Sequence, residues 1–268
     1  MTDPFDSLDA PFGEPSSPLF DAPDDTSGDA AELPRRLDGR LAVVTGAGGM
    51  LGAAISAELS ARGAGVCLIG RDLDALDATV RSLGPGARCA TLCCDLAQAD
   101  DVADAVRFIE LLDRPVDLLV HAAGIQAPGR VTDSPVEALD EHYLLNVRGP
   151  YVLSQLVVPL MRVPGARSVF VTSAPRTDRR EGDAHHTVTQ AAARALADQL
   201  RIETAGSGVR VLTVVADDWT DVPRCAVDPV EFAAGLAAGM VDAVVQTELD
   251  VTELSVRGIA RPVRTERL

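Results

Sequence analysis

At 268 residues the chain has room for one α/β domain of about 230 residues plus an appendage. Hydrophobic residues make up 47% of it, ample for a core, yet no uninterrupted apolar run is long enough to span a bilayer. A net charge of −16 argues against nucleic acid or an anionic membrane as a partner, and because all 24 basic residues are arginine, every lysine chemistry is excluded.

Residues 1–37 read as a disordered acidic tail. Up to Pro34 they hold nine acidic residues and no basic one, among frequent Pro, Ser and Gly. Such a segment cannot bury enough apolar surface to offset its ordering entropy. Phe5, Leu8, Phe12, Leu19 and Phe20 are scattered through it, which leaves docking on a partner as the alternative to a plain solvated tail. No basic stretch precedes an apolar segment, so no secretory signal is read. The five cysteines (Cys67, Cys89, Cys93, Cys94, Cys225) form no Cys-x-x-Cys pair and fit small core residues of a cytoplasmic protein.

Residues 38–268 alternate strands and helices. Leu41 to Thr45 is a valine-rich apolar run, the mark of a buried strand; Gly46, Gly48 and Gly49 then make a turn, and Gly52 opens an amphipathic helix. Strand, glycine turn and helix in that order can hold a dinucleotide's pyrophosphate, since the helix N-terminus offers free N–H groups and glycine lets the backbone come close. A second strand, Gly65 to Gly70, ends at Arg71. An acidic residue here would bind the adenosine ribose, whereas arginine accommodates a 2′-phosphate, so Arg71 points to NADP(H) unless it is an ordinary solvated arginine before a helix.

Ala87 to Cys94 is the third strand and runs into Asp95-Leu96. A helix with apolar positions Val102, Val106, Ile109 and Leu112 follows, then a fourth strand, Val116 to Val120, leading into His121-Ala122-Ala123-Gly124. His121 reads as a packed strand-end residue whose small neighbours let a cofactor approach the backbone. Residues 135–162 form a helical region broken near Asn146-Val-Arg-Gly-Pro150, with Tyr143 and Tyr151 at helical spacing and therefore expected in the core. Strands at Ser168 to Ser173, Gly208 to Val215 and Val251 to Val256, with helices at 187–205 and 229–246, complete the chain. This order predicts a single Rossmann-like doubly wound α/β domain with a mostly parallel seven-stranded sheet.

Thr45-Gly46-x-x-x-x-x-Gly52 resembles the Thr-Gly-x-x-x-Gly-x-Gly turn of the short-chain dehydrogenase/reductase family, with Met50 where the family has its middle glycine. His121-Ala-Ala-Gly124 is similar to the family's Asn-Asn-Ala-Gly, and Asn146-Val-x-Gly followed by Tyr151 and Gln155 continues its pattern. The resemblance implies dinucleotide contacts at Thr45, Gly46, Gly48, Gly49, Gly52, Arg71, Asp95, Leu96, Ala122 and Gly124, with Asp95 meeting the adenine. It also implies that Asn146 holds a water of a proton relay. Family catalysis uses a serine, then Tyr-x-x-x-Lys on the next helix. Ser173 keeps the serine, but in the register set by Ala191-Ala192 the tyrosine has become His186 and the lysine Gln190. The loop after the sixth strand, normally Pro-Gly, is Ala216-Asp217-Asp218-Trp219.

These departures lead away from hydride transfer. Histidine titrates near neutrality and serves as acid or base. His186 facing Ser173 and Asn146, with Gln190 as a hydrogen-bonding neighbour and Asp217 as a pairing acid, suits cyclisation, elimination of water or isomerisation of a small carbonyl compound, for which a polyketide-like intermediate is a candidate. Arg176 could clamp an anionic group of that substrate, or lie in a solvated loop; Trp219 could stack on it, or pack as a lid. A Ser173–His186 nucleophilic pair is conceivable, although no nucleophile elbow is visible. His185 is expected to point away from the pocket, and no metal site is read. The cofactor is NADP(H) or none. The alternatives are a catalytically silent subunit pairing with an active relative and an NADP(H)-dependent ketoreductase with an atypical site. The resemblance further implies a homodimer or homotetramer, or a hetero-oligomer with an active relative.

Overall fold

The computed structural model describes residues 37–173, 182–216, 228–246 and 250–256. The buried run Leu41–Thr45 forms β1, followed by α1 (Met50–Ala61), β2 (Gly65–Gly70), α2 (Leu73–Ser82), β3 (Cys89–Cys93), α3 (Ala99–Leu111) and β4 (Leu118–His121). A helical stretch then leads to β5 (Arg167–Ser173), α6 (Ala184–Thr204), β6 (Arg210–Ala216), α7 (Pro229–Val245) and β7 (Glu253–Val256). The strands lie in the order β3-β2-β1-β4-β5-β6-β7 and every pairing is parallel. The expected doubly wound sheet is therefore present, and its order reverses between β1 and β4, where such folds leave a crevice at the strands' carboxyl ends.

Strand alternation divides the core between two helical layers. Ala42 and Val44 of β1, with Val66 and Leu68 of β2, face Ile55 and Leu59 of α1 and Leu236 and Met240 of α7. Leu41, Val43, Cys67 and Ile69 face the opposite layer, built on Ile109 of α3 and on Leu153 and Val157. Buried Asp117 ties the lower edge, accepting the Leu41 N–H at 2.9 Å and the Arg40 guanidinium at 2.8 Å. Cys67 is a core residue as expected, and burial pushes its thiol up to about 12. Cys93 departs from that expectation: it is exposed at the carboxyl end of β3, the edge strand of the sheet. Cys225 lies outside the described residues.

The break in the helical region after β4 is a π-turn, Leu144–Arg148, between α4 (Val136–Tyr143) and α5 (Gly149–Val157), closed by a 3₁₀ turn at Val158–Leu160. Tyr143 and Tyr151 are 51% and 55% exposed, which corrects their assignment to the core. Helical spacing places two residues on one face, and here that face is the outer one. Among the described residues no helix is long and apolar enough to cross a membrane.

Candidate active site

A groove of about 320 Å³ opens at the switch point between β1 and β4. Its floor is the glycine turn. Gly46 has φ +65°, and a Cβ there would lie 2.7 Å from the Ala123 backbone; at Gly52 a Cβ would lie 2.1 Å from the Gly46 carbonyl oxygen. Gly46, Gly48 and Gly49 line the groove, together with Arg71, Leu96, Ala122 and Gly124. Three residues assigned to it act from behind. Gly52 packs under the turn, and Thr45 Oγ1 accepts the N–H groups of Ala122 and Ala123 at 3.2 and 3.3 Å. Asp95 Oδ1 accepts the Ala97 N–H at 3.0 Å, turning its own loop, while Cys94 and Leu96 on either side form the wall.

Met50, where a side chain threatened to close the turn, begins α1 and is 43% exposed, outside the lining. Sequence reasoning missed Asp72, Ala75 and Leu145, which also line the groove. The first two were legible as a helix start, since Asp72 caps α2 by accepting the Ala75 N–H at 3.1 Å. The glycine cradle, the first-turn N–H groups of α1 and Arg71 fit the adenosine and pyrophosphate end of a dinucleotide.

Beyond the groove, Ser173 ends β5 and His186 sits in the first turn of α6, with His186 Nε2 3.0 Å from Ser173 Oγ. One turn on, Gln190 Oε1 accepts the Ser173 N–H at 2.9 Å. That side chain is a neutral brace where the resemblance has an ammonium. Burial holds His186 below its ordinary pKa, aided by neighbouring His142; the Ile125 carbonyl and Asp183 act in the opposite sense and do not prevail. The ring is therefore uncharged at neutral pH. Its Nδ1 is buried with no hydrogen-bond partner among the described residues. With the ring's one proton on that nitrogen, Nε2 is the lone pair to which the Ser173 hydroxyl donates.

Asn146 joins the site through its side chain. Its Oδ1 accepts the Ile125 N–H at 2.8 Å, and its Nδ2 donates to the Ile125 carbonyl and to Thr189 Oγ1, both at 3.0 Å. With both ends bonded, the side chain splints loop, π-turn and α6 together. Asp217, Arg176 and Trp219 lie outside the described residues. The acid that acts on His186 among those described is Asp183.

Two histidines that sequence reasoning left aside support this arrangement. His142 is buried; its Nδ1 lies 2.7 Å from the Ala138 carbonyl and its Nε2 accepts the Ala127 N–H at 3.1 Å. His185 makes no bond to Ser173. It is buried beside His142, ring centroids 5.3 Å apart, over Gly129, where a Cβ would meet its ring at 2.2 Å. Gly129 in turn bonds to both Gly182 and Ala184, clipping the loop after β4 onto the start of α6. No local signal in the sequence announced these contacts, because they join residues far apart in the chain.

The family profile for short chain dehydrogenase matches residues 40–217. This chain belongs to the short-chain dehydrogenase family. An uncharacterized oxidoreductase of Staphylococcus epidermidis is 26% identical over 229 residues, 82% of this chain and 97% of its relative. L-xylulose reductase of Bos taurus is 33% identical over 182 residues, 67% of this chain and 71% of the bovine one. A metagenomic short-chain oxidoreductase solved in complex with NADP has a TM-score of 0.72 at 27% identity, covering 84% of this chain and 99% of that one. A dehydrogenase/reductase from Sinorhizobium meliloti 1021 reaches 0.74 at 23% identity over 83% and 95% of the two chains, a likeness of fold alone.

Proposed function

We propose that this short-chain dehydrogenase family member transfers protons without transferring hydride, acting on a small carbonyl compound with His186 as base and Ser173 as its hydroxyl partner. The observation that carries the reading is the 3.0 Å Ser173–His186 contact with an uncharged imidazole. Reducing a ketone needs a group that surrenders a proton to the forming alkoxide, whereas a histidine held below its ordinary pKa rests in the unprotonated form that takes a proton. Gln190, tied to the Ser173 N–H, supplies no positive charge. A base beside a hydroxyl suits removal of a proton next to a carbonyl, as in isomerisation, loss of water or ring closure, with polyketide-like compounds as the substrate class.

The test is solvent exchange. Small ketones and β-dicarbonyl compounds incubated in D₂O without cofactor should gain deuterium at carbon, as read by NMR, and His186→Ala should lose that exchange by at least about 10²-fold. NADPH consumption with a ketone and no exchange would retire the reading.

A second reading, an NADP(H)-dependent ketoreductase with an atypical site, is favoured by the groove and by the NADP bound in the metagenomic relative. Gly46, Gly48, Gly49 and Arg71 would hold the pyrophosphate and 2′-phosphate, and the cofactor would supply hydride. Calorimetric titration with NADPH and NADP⁺ separates the readings: micromolar binding keeps the reductase open, and no binding removes it. A third reading is a silent subunit, supported by the exposed Tyr143, Tyr151 and Leu156 on the outer face of α4 and α5. That face would pair two copies of this chain, or this chain with an active relative.

A further inference from the structure

We propose that Ser173 is a nucleophile, so that the Ser173–His186 pair carries an acyl group from a small ester or thioester to water. The inference rests on the assignment of His186 as a base and adds that the nearest proton available to it is the one on Ser173.

Four features of the site support it. The Oγ–Nε2 distance of 3.0 Å is that of a hydrogen bond, and with the ring proton on Nδ1 the hydroxyl is its donor. The serine is held at both backbone ends: its N–H by Gln190 at 2.9 Å, its carbonyl by the Arg194 guanidinium at 3.4 Å. His186 has surroundings suited to the imidazolium that forms as the proton transfers, since the Ile125 carbonyl and Asp183 both favour its positive state. Their effect is electrostatic, the imidazolium being favoured by nearby negative charge and carbonyl dipole. Finally, the Gln190 carboxamide is anchored through its oxygen and makes no hydrogen bond through its NH₂ among the described residues. Those N–H groups are held beside Ser173 and can meet an oxyanion, a task the serine's own N–H cannot share while it is bonded to Gln190.

The reaction closes on itself. Ser173 Oγ adds to the acyl carbonyl carbon as its proton passes to His186 Nε2, and the oxyanion is met by the Gln190 amide. Collapse expels the alcohol or thiol, which takes the proton from Nε2. A water molecule, deprotonated by the same nitrogen, cleaves the acyl-serine to the free acid and restores the hydroxyl. No oxidant, reductant or metal enters the balance.

The experiment treats the full chain with a fluorophosphonate probe and locates the adduct by peptide mass spectrometry. The expected result is a single adduct on Ser173, formed at least about 10²-fold more slowly in His186→Ala. Gln190→Glu keeps the acceptor for the Ser173 N–H and removes the donors, so it should fold as the native chain does and label about 10²-fold more slowly. With p-nitrophenyl acetate the native chain should release an initial burst of one nitrophenolate per chain. An adduct on Ser173 without C–H exchange supports the nucleophile and retires the carbon-acid chemistry proposed above. C–H exchange with no Ser173 adduct overturns the nucleophile and leaves that chemistry standing; labelling confined to another residue also overturns it.

Discussion

His121 closes β4 fully buried, its ring 4.4 Å from that of Phe170 and its Nε2 3.0 Å from Ser154 Oγ. Burial lowers its pKa from 6.5 to about 3. Between those values the unfolded chain binds a proton that the folded chain refuses, so stability rises with pH there. The contribution is complete above pH 6.5 and is lost as pH falls toward 3, at about 1.4 kcal/mol per pH unit. Urea midpoints measured from pH 7 down to 4 should fall steeply in the native chain and less steeply in His121→Asn, which cannot titrate. His186 titrates in the same direction, with its folded pKa also lowered by burial. A reaction that uses it as a base should accelerate as pH rises through a value below 6.5 and then level off. A pH–rate profile checks this, and a limb centred above 6.5 would contradict it.

At the scale of elements, the glycine turn and the π-turn each hold one wall of the site. Gly52→Ala would set a methyl group 2.1 Å from the Gly46 carbonyl oxygen, so the turn must shift. Overpacking of that kind costs about 1–3 kcal/mol, and it should weaken NADPH binding in the calorimeter well beyond what the stability loss explains, because the cradle itself moves. Asn146→Ala removes three hydrogen bonds that join the Ile125 loop, the π-turn and α6. It leaves the half-buried Ile125 N–H and carbonyl without these partners, at up to about 1–3 kcal/mol each where water does not replace them, so a thermal melt should show a loss. Asn146→Asp should lose less, because it keeps the acceptor for the Ile125 N–H.

For the whole molecule, the described fold begins at Leu37, which is buried and donates its N–H to the Arg62 carbonyl at 3.1 Å. Deleting residues 1–36 should therefore leave the melting temperature within about 2 °C, since surface changes away from core contacts seldom exceed about 0.5 kcal/mol. A larger drop would show that the acidic segment docks on the domain. The exposed face carrying Tyr143, Tyr151 and Leu156 makes a separate prediction about assembly. Tyr151→Glu should shift a dimer or tetramer toward smaller species in analytical ultracentrifugation while the far-ultraviolet spectrum stays unchanged.

The Rossmann-like order and the phosphate turn were written locally in the chain. Apolar runs of strand length, glycines after the first of them and alternating amphipathic segments are short-range patterns, and parallel crossovers leave few other ways to assemble them. The replacement of tyrosine and lysine by His186 and Gln190 was legible for the same reason, because Ser173 and Ala191-Ala192 fix the register on both sides. Tertiary structure alone decided which way the side chains turned and whom they met. Tyr143 and Tyr151 share a face that only packing could reveal as the outer one, and Asn146 is held by a loop twenty-one positions away. The uncharged state of His186 depends on burial and on Ile125, Asp183 and His142. A residue's charge and partners are set by the groups that surround it in space, and those surroundings come from distant segments whose contacts leave no periodic trace in the sequence.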